Sequence, residues 1–128
     1  MARLKIVILI SIVLLTSITM LLAFNSAAKA SSNQQRLVDV RQIQLALKDY
    51  FRENGLYPYG NGVPNGIATY LEHWPTPPKP NGVCPATPNA YSYNQKYAGD
   101  DYVVSFCLGI KTAGLKAGMH LLTSKGVQ

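Results

Sequence analysis

Residues Ile6 to Phe24 (IVILISIVLLTSITMLLAF) run for 19 positions without a charge. At helical rise that run spans about 28 Å, the hydrocarbon thickness of a bilayer. Arg3 and Lys5 precede it, and bases flanking a span hold their side in the cytoplasm. The expected arrangement is a basic cytoplasmic terminus at 1–5, a transmembrane helix at 6–24 and an exported remainder. That makes a single-pass protein, N-in and C-out, with its carboxyl part at the cell surface or in the periplasm. Ala28-Lys29-Ala30 before Ser31 also has the small-x-small pattern of a signal-peptidase site, although the apolar run exceeds the usual core of a cleaved signal. Anchored and cleaved forms export the same residues and differ only in attachment.

About 100 residues remain for a water-soluble fold, enough for one modest core. The chain carries twelve Lys and Arg against six Asp and Glu, a net charge of +6, which falls to +4 once Arg3 and Lys5 are set aside. Charge so thinly spread does not form the clustered stripe that phosphate backbones require, so nucleic acid is not an expected partner. Lys111, Lys116 and Lys125 read as a solvated face rather than a DNA contact. Glu72-His73-Trp74 offers no second ligand at helical spacing, and His120 falls on a separate strand. No nucleophile has a partnered base, and an enzyme is not expected.

From Gln34 to Glu53 the apolar positions Leu37, Val40, Ile43, Leu47, Tyr50 and Phe51 recur at steps of three and four. This is one helical stripe, backed by Arg41, Gln42, Lys48, Asp49 and Arg52 and stopped by Asn54-Gly55. An amphipathic helix at 25–54 therefore follows the apolar one. Joined, the two make a rod of about 70 Å from Ile6 to Glu53, with Ser31-Ser32-Asn33 as the place where it would loosen. All eight prolines lie between Pro58 and Pro88, which makes that stretch a loop with room for one short helix at Ile67 to His73.

Beyond it the period becomes two. Tyr91 and Tyr93 alternate with polar residues, Tyr102, Val104, Phe106 and Leu108 share a face, and Met119 to Thr123 form a third run. The segment 55–128 thus gives a three-stranded antiparallel sheet, and the only apolar stripe able to cover it is that of the helix, so the fold class is α+β. Cys84 in the proline loop and Cys107 on the second strand are the only cysteines. In an exported domain their pairing is a disulfide worth about 3 kcal/mol. By alternation Cys107 points away from Phe106, which puts the loop over the face opposite the helix or along the sheet edge. Tyrosines 57, 59, 70, 91, 93, 97 and 102 read as packing residues before they read as an adhesive surface.

These residues carry a resemblance. Arg36, Asp39, Ile43, Ala46, Leu47 and Tyr50, then Asn54, Gly55, Tyr57 and Pro58, resemble the helix-to-loop junction of bacterial type IV pilins and, most closely, of type II secretion major pseudopilins. The resemblance implies a structural, membrane-anchored subunit that assembles with copies of itself or other pilin-like subunits through an assembly machine. It also implies a filament-core helix that includes Ile6, Ile10, Val13, Leu14, Ile18, Leu21 and Leu22. No organic cofactor is implied, while a calcium ion at Asp100 and Asp101 would match a carboxylate loop of pseudopilins; a hairpin turn accounts for the same two residues. The family has a glutamate at the fifth mature position, cut free of a leader that ends in glycine. Aligned on Asn25, that place is Lys5, with Met1 at the first position. Two readings stay open, a filament subunit and a pilin-fold binding module that is anchored or secreted and does not polymerise.

Overall fold

A computed structural model describes the backbone of residues 1–128 and every side chain but that of Ala2. Helix α1 runs from Ala2 to Asn54 as one element of 53 residues, about 80 Å long. It does not loosen at Ser31-Ser32-Asn33. Asn33 is fully buried there, its amide nitrogen donating back to the Lys29 carbonyl and its Oδ1 accepting from the Gly109 N–H, each at 2.9 Å, so a residue of low intrinsic helix propensity is held by tertiary contact. Asn33 is also the first buried residue among those described, and residues 33–128 form the head. At its other end α1 stops on Gly55, whose φ of 77° lets its N–H reach the Phe51 carbonyl at 2.8 Å.

The stripe packs as its spacing requires. Val40, Ile43, Ala46 and Leu47 are buried against the sheet, while Leu37 and Tyr50 are half-buried at its margins. Phe51 lies outside the core, with its ring 4.6 Å from that of Tyr57.

The sheet has five antiparallel strands, in the order β1 (Asn61–Gly62), β2 (Ser92–Lys96), β3 (Asp101–Leu108), β4 (Gly118–Thr123) and β5 (Gly126–Val127). The three-strand expectation is corrected here, because β2, β3 and β4 form the meander while two-residue strands pair with its outer edges. Each is too short to carry a period-two signal, and each covers backbone that an open edge would expose. Tyr93 faces Val104, and Val104 faces Leu122 across the next ladder, so these three side chains, all buried, floor the core under α1. The short helix is one 3-10 turn, Ile67–Thr69, and does not extend to His73. Ile67 alone is drawn into the core, and the chain turns at once toward Pro75.

The direction of β3 fixes the ends of the head. Its start lies beside the end of α1, where the Tyr57 N–H donates to the Gly99 carbonyl at 2.8 Å. Its last residues approach Asn33, whose Oδ1 accepts from the Gly109 N–H at 2.9 Å. The exposed half of α1 therefore leaves the head at the end formed by Gly109, the β3–β4 connection and the proline loop.

Candidate functional site

Among the described residues, the first half of α1 has no partner in the molecule. Ile6, Ile10, Val13, Leu14, Ile18, Leu21 and Leu22 are between 54 and 66 % exposed, and this helix is long and apolar enough to cross a membrane. Its few hydroxyls turn inward: Ser11, Thr16, Ser17 and Thr19 donate to carbonyls three or four residues back, at 2.8 to 2.9 Å. Hydroxyls satisfied in this way leave an apolar exterior.

Where the rod enters the head, polar residues continue the stripe. Arg36 is buried, its Nη1 donating to the Cys107 carbonyl at 3.2 Å and its Nη2 to the carbonyls of Pro78 and Lys79 at 2.7 and 3.3 Å. Asn89 Oδ1 accepts a further bond at 3.3 Å, and the Asn89 amide itself donates to the Pro78 carbonyl at 3.0 Å. A guanidinium that stays charged inside a protein is tolerated where several acceptors replace water. Asp39, one turn on and also buried, accepts from the Tyr91 hydroxyl at 2.7 Å and from Gln35 Nε2 at 2.8 Å. Burial, with the bond to Asp39 second, pushes the Tyr91 phenol far above its ordinary value.

The proline loop crosses the end of β3 and does not lie over one face of the sheet. Its carbonyls meet Arg36 on the helix side, the Val83 N–H donates to the Gly109 carbonyl at 3.1 Å, and Cys84 is bonded to Cys107. The expected disulfide is thus present, closing a separation of 23 residues.

The junction residues bring the chain back onto the sheet. The Tyr57 carbonyl accepts from Gln95 Nε2 at 2.7 Å and that of Pro58 from the Tyr93 hydroxyl at 2.6 Å. Rings of Trp74, Tyr93, Tyr102, Tyr57 and Phe51 follow one another at centroid distances of 6.4, 6.0, 4.7 and 4.6 Å. Most of the tyrosines are therefore packing residues, while Tyr59 and Tyr97 stand 76 and 79 % exposed.

The other sequence candidates do not converge. Asp101 Oδ1 accepts from the backbone N–H groups of Tyr102 and Ser124 at 2.7 and 3.1 Å, whereas Asp100 is exposed in the turn. Calcium takes six to eight oxygens, and among the described residues no three His, Cys, Asp or Glu side chains come together. Glu72 and His73 are both solvated, 3.8 Å apart, and His120 is hydrogen-bonded to the Lys116 carbonyl at 2.8 Å. A groove of about 340 Å³ beside α1, lined by Arg41, Lys48, Phe51, Tyr57, Tyr102 and Ser124 among others, contains no carboxylate, histidine or cysteine. The buried roles of Asn33 and Arg36 were missed as packing positions. Stepping back from Leu47 through Ile43 and Val40 by the same alternation of four and three lands on both.

Compared with protein families, with curated proteins and with solved structures, the chain matches none of them.

Proposed function

We infer that the protein is a structural, non-enzymatic, pilin-like subunit of the type IV pilus or type II secretion pseudopilus kind, membrane-anchored before assembly. One observation carries the reading: α1 is a single unbroken rod, its apolar half bare and its other half fastened into a disulfide-linked head. Such a helix is covered by lipid in the bilayer and by neighbouring helices in a filament, so assembly exchanges one apolar surrounding for another of similar energy. The Gly55 to Pro58 junction supports the same reading, since the residues that carry the resemblance are those that seat the helix on the sheet.

Lys5 favours a second reading, an anchored pilin-fold module that does not polymerise. A cation at the start of the apolar run repels the amine of a neighbouring subunit at a place where the resembled family has a carboxylate.

The test is the intact mass of the protein recovered from membrane, medium and sheared surface filaments of a host with an assembly machine. Full-length mass in the filament fraction is the expected result. A soluble species beginning at Ser31 has lost the rod and overturns the filament reading. Lys5→Glu separates the two readings: a rise in filament yield identifies the charge as a brake on assembly, while an unchanged yield removes the electrostatic argument.

A further inference from the structure

The head is electrically lopsided along the axis of α1. At the end from which the exposed rod emerges stand four exposed lysines. Lys29 lies on α1 one turn before Asn33, Lys79 adjoins the carbonyls that Arg36 binds, and Lys111 and Lys116 belong to the β3–β4 connection. That connection is held at this end by the Asn33–Gly109 hydrogen bond and folded tightly by paired Thr112–Leu115 bonds of 3.0 Å each. None of the six carboxylates shares the location. Asp39 is buried under Tyr91, Asp49 and Glu53 lie on the last turns of α1, and Asp100 and Asp101 lie at the opposite hairpin. Glu72 follows Tyr70, whose hydroxyl bonds Glu53 at 2.6 Å.

We propose that this end of the head is a docking surface for anionic phospholipid headgroups. The proposal rests on the reading that residues 6–24 lie in a bilayer. Because α1 is continuous, the height of the head above the hydrocarbon follows from residue count. Phe24 to Asn33 covers about 14 Å, which sets the lysine-bearing end about 6 to 9 Å beyond a headgroup layer that is itself about 5 to 7.5 Å thick. Lys29, about 7.5 Å above the hydrocarbon, stands at the outer edge of that layer, and Lys79, Lys111 and Lys116 face it across about one Debye length at physiological salt. Lysine suits the purpose, since a flexible stem carries a point charge to mobile phosphates without demanding fixed geometry. The partner is the bilayer because these lysines stand at the end of the head from which an apolar rod emerges, a placement that brings a lipid surface to them.

Full-length protein is reconstituted in vesicles of phosphatidylcholine, with or without one third phosphatidylglycerol. Lysine acetylation by a water-soluble ester is then followed residue by residue by mass spectrometry. Lys96 and Lys125, at the opposite end of the head, serve as internal references. The expected result is that Lys79, Lys111 and Lys116 react at least about threefold more slowly than the references in anionic vesicles, and that about 1 M salt abolishes the difference. Equal rates in the two lipid compositions, or slowing that salt leaves untouched, overturn the proposal. If the protein meanwhile resists carbonate extraction, the membrane span stands without the docking surface. Release by carbonate overturns both.

Discussion

Arg36 donates to the carbonyl oxygen of Cys107 at 3.2 Å, so the residue that α1 grips through its guanidinium is the same one that Cys84 grips through a disulfide. The two attachments act on the proline loop from opposite sides of β3. Arg36 binds the loop at Pro78 and Lys79, and the disulfide binds it at Cys84. The stretch from Pro75 to Pro88, which holds six of the eight prolines and no strand, is tied to the head at these points.

Arg36→Met takes the guanidinium from the carbonyls of Cys107 and Lys79, while that of Pro78 keeps the Asn89 amide, and is expected to cost about 2–4 kcal/mol. The pair Cys84→Ser and Cys107→Ser is expected to cost about 3 kcal/mol. Since both hold one loop, the combined variant should fall short of the sum by at least about 0.5 kcal/mol in urea unfolding of the detergent-solubilised protein. Strict additivity would show that the loop is fixed independently at each point.

Gly82 and Gly55 both have positive φ, 56° and 77°, but only one is crowded. A Cβ on Gly82 would sit 1.9 Å from the Gly109 carbonyl oxygen, whereas one on Gly55 meets nothing within 4 Å. Gly55→Ala should therefore cost about 1 kcal/mol, the backbone strain alone. Gly82→Ala adds overpacking and should cost about 3 kcal/mol or more. Equal losses of thermal stability would contradict the close approach of the loop to Gly109.

Burial raises the phenols of Tyr91, Tyr93 and Tyr102 well above their ordinary 10.0. For a group raised in the folded state, the stability it contributes is complete below the unfolded value and is lost as pH climbs through the folded one. Phenolate absorbance at about pH 11 should accordingly show at least three of the eight tyrosines still protonated in native protein and ionised once it is denatured. Full ionisation without loss of ellipticity would disprove the buried aromatic core.

At the acid end the sign reverses. Partial burial raises the Asp101 carboxyl, but the N–H groups of Tyr102 and Ser124, the Ser124 hydroxyl and the charge of Lys125 outweigh it and hold the group below its ordinary 3.8. The resulting stability is present above that value and lost as pH falls through the lower folded one. Asp101→Asn should lower the melting temperature at neutral pH and flatten its fall below about pH 4. A variant as acid-sensitive as the parent would remove Asp101 from the account.

Periodicity made the rod, the meander and the buried stripe legible, because Val40, Ile43 and Leu47 and the alternating Tyr102, Val104 and Phe106 follow geometry that any helix or strand imposes. Cys84 and Cys107 were readable by count. The bridging by Arg36 and Asp39 was not, since their partners are a carbonyl of β3, carbonyls of the loop and Tyr91, separated from them in sequence by 42 to 71 positions. Continuity through Ser31 and Ser32 was hidden for a related reason, as local propensity argues for a break that Asn33 prevents from the head side. Two-residue strands such as β1 and β5 carry no period to read.

An uninterrupted helix also sets a rotational phase. With no hinge between Phe24 and Asn33, one residue inserted there would turn the head by about 100° and lift it by about 1.5 Å, while seven would restore its facing to within about 20°. The length of that short stretch thus selects which flank of the head stands over a given face of the apolar half.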